Sequence, residues 1–363
     1  WLMASLRPVI TQRDEDYTPR VAFVISAYNE AKILPMKLNN TMALDYPKEK
    51  LSVMVVSDGS DDATPRVVKD FQNVELYETG VRVGKSEALN HAFGSLRGDI
   101  VVFSDANALY DKHALRRFAR HFADPRVGCV CGELHHVKPT TPSSRGETAY
   151  WRYENRVRGW EGRRGTLISP NGTLFAIRRE LYDRVPPLAA NDFQTAEDVA
   201  RKGRLIVYDG EVIAWEHPTL TLAEEFRRKV RIIAGGCHVA FRAAWKARPA
   251  RMFRMLSHKI LRWMVPLPLI VMLSASAALD PESTFYAAAF WCQVAFYAAA
   301  LGGLLAPWLS RSAVFYLPLY FVTVNLAALV GMARFALGLH RATWESPRSS
   351  RDALAAQESG EWG

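Results

Sequence analysis

The run VAFVISA (21–27) is apolar and β-branched, and it ends in the polar YNE. That is the pattern of a buried strand stopping at a turn. LSVMVVS (51–57), running into DGSDDAT, and DIVVFSD (99–105) repeat the pattern, and VELYE (74–78) predicts a further strand between them. Between these runs, residues 30–44, 62–71 and 85–96 have apolar positions at helical spacing, with Asp61 placed as a cap for the second helix. A further helix is predicted over 112–122, and VGCVCGEL (127–134) opens a second strand region. Residues 138–148 are rich in Pro, Thr and Ser and predict a loop, and AYWRYENRVRGWEGRRG (149–165) predicts a basic, aromatic helix. A turn, strand and short helix over 168–181, a helix over 190–203 and the strand RLIVYDG complete this part. Strands alternating with helices predict an α/β layer around a mostly parallel sheet. No internal repeat or low-complexity tract interrupts it.

The pattern then changes. Residues 263–279, 283–310 and 312–333 contain no Asp, Glu, Lys or Arg. A membrane-crossing helix needs roughly 20 apolar residues, so two spans are predicted, 284–306 and 313–338. A third stretch, 260–279, is shorter and is interrupted by Pro266 and Pro268. The net charge of +9 in 363 residues is local: eleven Lys or Arg lie between Arg227 and Arg262, with no Asp or Glu between Glu225 and Asp280. Ile232, Ile233, Val239, Phe241, Trp245, Phe253 and Leu256 interleave with them. Such a stretch, abutting apolar spans, reads as amphipathic helices on an anionic cytoplasmic leaflet rather than a nucleic-acid stripe. The positive-inside rule then places the region before it in the cytoplasm. The tail, with Arg341, Arg348 and Arg351, belongs inside by the same rule, whereas three full spans would put it outside; the pattern leaves both open. WLMASLRPVI at the start reads as the end of an apolar segment, and no cleavable signal peptide is evident. Cys129, Cys131, Cys237 and Cys292 form no metal-type pair; Cys129 and Cys131 share one strand face and are expected as core thiols in a reducing compartment.

In open α/β sheets ligands bind outside the carboxyl ends of the strands. Glu30, Asp58, Lys85 and Asp105 fall at strand ends or in loops on that side. Carboxylates and a lysine gathered there suit a nucleotide diphosphate held through a metal ion. These motifs, in this order, resemble the membrane-embedded, inverting family 2 glycosyltransferases that include cellulose, chitin and hyaluronan synthases. The resemblance covers roughly 21–262 by motif and the apolar helices by architecture. It implies a GT-A catalytic domain over 21–223, basic interfacial helices over 224–259, transmembrane helices over 260–340 and a polar tail over 341–363, preceded by the segment 1–20. AYNE (27–30) matches the motif bordering the nucleotide, with Tyr28 and Glu30. SDGS (57–60) matches the turn whose Asp, here Asp58, contacts the base. GKSEALN (84–90) supplies Lys85, and SDAN (104–107) takes the place of the DXD metal motif. NDF (191–193) lies where the family's acid sits, with Gly203 eleven residues after Asp192. FRRKVRI (226–232) takes the place of QxxRW.

Two motifs depart from the family. Asn107 replaces the second metal acid; its amide oxygen can ligate Mg²⁺ or Mn²⁺, but more weakly. In the QxxRW segment Arg231 remains, while Arg228 and Ile232 replace Gln and Trp, which puts long-chain processivity in doubt. The resemblance implies a one-step displacement at the anomeric carbon, in which a carboxylate takes the acceptor's proton and the diphosphate charge is stabilised as it leaves. Asp192 is the expected base, and Asp105 with Asn107 the metal site. Lys85 and Arg231, with Arg228 beside them, are expected at the diphosphate, and Tyr28, Glu30 and Asp58 at the nucleoside. Simpler readings stand beside these. Asp58 could be only a turn former, Lys85 a solvated helix start, Asp105 structural, Asp192 an N-cap and Arg231 lipid-facing. Glu197 and Asp198 compete for the base and are expected to face solvent or brace the interfacial helix. Trp151, Tyr153 and Trp160 could line an acceptor site or pack in the core. His135 and His136 point to opposite strand faces and are not expected as ligands.

The expectation is a hexosyltransferase (EC 2.4) in the cell (inner) membrane, multi-pass, with its catalytic domain cytoplasmic. It would use a nucleotide-sugar donor, a UDP-sugar first, with a lipid-linked or glycan acceptor, membrane lipids and an export or oligomer partner, and no nucleic acid. A processive polysaccharide synthase is the alternative, and a sugar-nucleotide-binding scaffold without turnover is the alternative of another class. Nucleotidyl transfer is disfavoured because AYNEAKIL lacks a glycine-rich phosphate loop.

Overall fold

The computed structural model describes residues 9–137, 140–244, 248–279, 283–343 and 348–356. Most of the WLMASLRPVI segment and Trp245 lie outside them. The chain forms two compact units. The first draws on the chain up to residue 138, on Trp151–His217 and on the segment from Arg341; the second on Pro139–Tyr150 and Pro218–His340.

In chain order the first unit contains β1 (Val21–Ala27), α1 (Leu34–Met42), β2 (Leu51–Ser57), α2 (Thr64–Lys69), β3 (Val74–Glu78), α3 (Lys85–Ala92), β4 (Ile100–Asp105), β5 (Ala108–Tyr110), α4 (Ala114–Ala119) and β6 (Val127–His136). Helix α5 (Pro142–Gly162) is followed by β7 (Leu174–Arg178), α6 (Asn191–Arg201) and β8 (Leu205–Glu216). The strands form an eight-stranded sheet in the order β3-β2-β1-β4-β7-β6-β8-β5. β1 is parallel to both β2 and β4, and β2 is parallel to β3. β7 then runs antiparallel to β4 and β6, so the sheet is mixed beyond its parallel half. Alternate residues of β1 face two cores: Val21, Phe23 and Ile25 on one side, Ala22 and Val24 on the other. Burial of both faces is why the central strands read as continuous apolar runs. Cys129 and Cys131 are buried in the second of these cores, as their spacing predicts.

The parallel register fixes the functional edge. Ala27 lies opposite Ser57, and Ser26 opposite Asp105. The loops after β1, β2 and β4 therefore leave the sheet side by side. Two local expectations are corrected. Residues 142–148 are not loop but the first turns of α5. Pro142 starts that helix, where its missing N–H costs nothing. The Ser144 N–H donates to Thr141 Oγ1 at 3.2 Å while Ser144 Oγ accepts the Thr141 N–H at 2.9 Å, a reciprocal cap that the Pro/Thr/Ser composition concealed. Before α2, Asp62 rather than Asp61 accepts the Thr64 N–H, at 2.8 Å.

The second unit holds α7 (Leu222–Ala244), α8 (Pro249–Met255), α9 (Leu261–Met264), α10 (Pro266–Leu279), α11 (Thr284–Leu305) and α12 (Ala313–Ala336); α13 (Arg348–Ala355) returns to the first unit. Helices α11 and α12 are long and apolar enough to cross a membrane. Their large side chains, among them Phe285, Trp291, Leu305 and Val314, are exposed. The third apolar stretch is not one straight helix. Pro249–Met264 and Pro266–Leu279 meet at 52°, with a π-helical turn at Leu256–Ile260. Pro266 lacks an N–H and its ring clashes with the preceding turn, which accounts for the bend. Helix α7 lies close to α12 at Gly331, where a Cβ would stand 2.9 Å from the Val230 carbonyl oxygen.

Candidate active site

An open cleft lies at the carboxyl edge of β1, β2 and β4. Ser26, Ala27, Tyr28, Glu30, Val56, Asp58, Lys85, Ala88, Asp105 and Ala106 line it. Five residues expected from sequence thus meet in one place: Tyr28, Glu30, Asp58, Lys85 and Asp105.

Each is held by its neighbours. Asp58 is 7% exposed, and its two carboxylate oxygens accept the N–H groups of Val83 (2.7 Å) and Gly84 (2.9 Å). It is therefore more than a turn former: it ties the loop that carries Lys85 to the end of β2. Gly84 has φ +94°, open only to glycine at low cost, and precedes α3. Lys85, the first residue of α3, forms an ion pair with Asp105, and both side chains are mostly buried. This contact removes the reading of Lys85 as a solvated helix start. Glu30 is 3% exposed, and its N–H donates to Thr64 Oγ1 at 2.8 Å. Asn29 exchanges hydrogen bonds with Asp61, from Nδ2 to Oδ1 at 2.5 Å and from the Asp61 N–H to Asn29 Oδ1 at 3.0 Å, joining the loops after β1 and β2.

Asn107 is 8% exposed, and its Nδ2 donates to Glu216 Oε1 at 2.7 Å. It follows β4 as the motif predicts, but its side chain is already engaged at the end of β8. Beneath this loop, the buried Lys37 of α1 donates from Nζ to the Ala108 carbonyl oxygen at 2.5 Å and lies over the Phe23 and Tyr110 rings. Burial lowers its pKa to about 7, against an opposing pull from Asp105. Asp192 is the second residue of α6 and half-buried; the position of a Cβ on Gly172 is 3.5 Å from its Oδ2. The N-cap of α6 is Ala190, so capping does not explain Asp192. Of the two expectations for Glu197 and Asp198, facing solvent and bracing the interfacial helix, the first is corrected: they are 5% and 3% exposed. Their helix buries that face, and Asp198 accepts Gln194 Nε2 and pairs with Arg201, each at 3.0 Å, while burial raises its pKa.

Arg228 and Arg231 belong to the second unit, on α7. Arg228 Nε donates to Glu225 Oε2 at 2.9 Å and Nη2 to Glu147. Burial alone would raise Glu225, but Arg228 and then Lys229 hold it below the usual carboxylate range. The Tyr320 hydroxyl donates to the same carboxylate at 2.8 Å. The guanidinium of Arg228 thus serves a buried charge network. Arg231 is half-buried. Of the other weighed residues, Tyr153 is exposed, and Trp151 sits edge-on to His136 at 6.0 Å.

Sequence reasoning missed Arg82, whose guanidinium lies 3.8 Å from the centre of the Tyr28 ring, though its place two residues before Gly84 could have drawn notice. It also missed Glu216 beside Asn107. Among the described residues no three His, Cys, Asp or Glu converge on a metal position. The donor set nonetheless fits Mg²⁺ or Mn²⁺ carried by a diphosphate, because such ions take one or two protein oxygens and fill the rest from phosphates and water. Asp105 would supply the carboxylate and Asn107 an amide oxygen.

The mixed sheet, with this acid and lysine cluster at the carboxyl edge of its parallel half, has the fold of the GT-A class. Residues 22–185 match the model of glycosyl transferase family 2, so the chain carries a family 2 glycosyltransferase domain. It is 27% identical over 242 residues to the probable glycosyltransferase YdaM of Bacillus subtilis, covering 62% of this chain and 57% of that protein. It is 25% identical over 249 residues to poly-beta-1,6-N-acetyl-D-glucosamine synthase of Staphylococcus aureus, covering 64% and 58%. It is 33% identical over 118 residues to beta-monoglucosyldiacylglycerol synthase of Synechocystis, covering 31% and 25%. The chain thus spans less than two thirds of the length of these curated relatives. Among solved structures, the mannosyltransferase PcManGT from Pyrobaculum calidifontis, in complex with GDP-Man and Mn²⁺, superposes with TM-score 0.70 at 26% identity over 93% of this chain and 92% of that one.

Proposed function

We propose that the chain is a membrane-bound, inverting glycosyltransferase that moves a hexose from a nucleoside diphosphate donor to a lipid-linked or polysaccharide acceptor at the cytoplasmic face. The observation that carries this is the single cleft holding Tyr28, Glu30, Asp58, Lys85 and Asp105. Tyr28 and the loop fixed by Asp58 border the nucleoside, and Lys85 meets the diphosphate. Displacing Asp105 from Lys85 by a donor phosphate would free that carboxylate. A divalent ion held by Asp105 and Asn107 would supply charge stabilisation to the diphosphate. Asp192 takes the proton from the acceptor hydroxyl as its oxygen bonds to the anomeric carbon and the bond from that carbon to the diphosphate oxygen breaks. One displacement inverts the centre, so an α-linked donor gives a β-linked product.

Membrane attachment is supported by α11 and α12, whose exposed Phe285, Trp291 and Leu305 are unsuited to water. The basic α7–α8 stretch before them suits an anionic leaflet. A lipid acceptor is favoured by the loss of the QxxRW tryptophan and by the relative named for a glycosyl diacylglycerol. Chain synthesis is the second reading, favoured by the Staphylococcus relative; product length separates the two.

The test is nucleoside diphosphate release by the whole chain in nanodiscs containing native lipid extract. UDP-sugars come first and GDP-mannose next, because the similar mannosyltransferase holds it. Release with one donor is expected, lost in EDTA and restored by Mn²⁺ or Mg²⁺. Asp192→Asn is expected to lower kcat at least about 100-fold, the scale of a lost general base, with donor affinity kept. Full activity in that variant would remove Asp192 as the base.

A further inference from the structure

The segment beyond the apolar helices packs within the first unit, against the donor loops. Arg351 on α13 donates from Nη1 to the Asn29 carbonyl oxygen at 2.6 Å, and the same nitrogen lies 3.7 Å from Glu30 Oε2. Its side chain is only 14% exposed. Asp352 pairs with Lys32 at 3.2 Å. Leu354, 1% exposed, joins the core cluster that contains Ile33 and Leu34. On the GK loop, the Ala342 carbonyl oxygen would stand 2.8 Å from a Cβ placed on Gly84. Two parts of one segment therefore touch the two loops that carry Glu30 and Lys85.

The exposed Lys32–Asp352 pair is worth little alone. A buried leucine and a largely buried guanidinium are different, because neither is stable there unless the segment is docked. Asn29 is the one non-glycine residue among those described with positive φ, +55°. That conformation is uncommon and must be held by its surroundings. Arg351 grips the carbonyl of that very residue, and Tyr28 and Glu30 on either side line the cleft.

We propose that α13 is a built part of the donor site, with Arg351 a positioning residue that sets the Asn29 turn for the nucleoside, and that this segment therefore lies on the same side of the membrane as the cleft. The inference rests on the function proposed above. It follows that the chain crosses the membrane an even number of times between His217 and Arg341. Helices α11 and α12 supply two crossings. The pair bent by 52° at Pro266 then enters and leaves by one face, or lies along it.

The test uses the whole chain in nanodiscs. UDP and GDP are titrated calorimetrically with Mn²⁺, and donor KM and kcat are measured. In Arg351→Ala, nucleotide binding is expected to weaken about tenfold, the scale of one charge-assisted hydrogen bond, with the loss appearing in KM rather than kcat. Arg351→Lys is expected to recover part of it, and it carries the same comparison if Arg351→Ala does not fold. Unchanged nucleotide affinity and KM in both variants would overturn the positioning role. Wild-type protein that binds neither nucleotide would instead sink the proposed function. For sidedness, Ser95→Cys and Ala356→Cys, both at exposed positions, are made with Cys237 and Cys292 replaced by Ser. Both are expected to resist a membrane-impermeant maleimide in intact cells and to label after permeabilisation. Labelling of Ala356→Cys alone in intact cells would overturn the shared side.

Discussion

At the scale of single residues, Asn107 changes meaning once its partner is known. Read alone, it is a weakened metal acid that Asp would restore. In the structure it donates to Glu216 at 2.7 Å, so Asp at 107 would set two carboxylates against each other in a buried place. Asn107→Asp is expected to lower activity and thermal stability rather than raise them. Asn107→Asp combined with Glu216→Gln should recover stability, because the amide then sits on the other partner. Equal melting temperatures for the single and double variants would refute this coupling. Lys37 makes a second prediction. Burial holds its pKa at about 7, below the unfolded value. Between about pH 7 and 10 the unfolded chain therefore binds the extra proton, and stability rises with pH, at most ~1.4 kcal/mol per pH unit. Urea unfolding of wild type against Lys37→Met should show this slope only in wild type. The same slope in Lys37→Met would assign it to another group.

Elements form where pattern and end chemistry agree. The strand runs at 21–27 and 51–57 are strands over the same residues, since branched apolar side chains suit burial on both faces, and VELYE (74–78) is a less buried strand at the sheet edge. The failure at 142–148 has a local cause. Serine, threonine and proline mark loops and helix starts alike, and only the Thr141–Ser144 exchange distinguishes them. Thr141→Val, which keeps the shape and removes the hydroxyl, should cost about 1 kcal/mol as a lost cap. Thermal melts of the detergent-held protein would measure it, and no change would mean that α5 holds its first turn by packing alone. The bent pair around Pro266 shows a similar limit. Composition marks an apolar stretch, but its direction depends on where the backbone bond is broken.

For the whole molecule, the first unit is assembled from three separate stretches of chain, the last of which follows the long apolar helices. The segment from Arg341 looks like a polar tail in sequence, yet it carries Leu354 into the core and Arg351 to Asn29. The sidedness left open by the charge pattern is resolved, under the proposal above, by this return. Much was determined by sequence alone: the α/β layer, the long apolar helices and the order of acids and lysine at strand ends. These depend on local periodicity and on parallel register, which places successive strand ends along one edge. The engagement of Asn107 by Glu216, 109 residues away, and of Asn29 by Arg351, 322 residues away, was decided only by tertiary structure. Such partners are chosen by which side chains the packed backbone brings within hydrogen-bond reach, and nothing in the spacing of a chain encodes that distance.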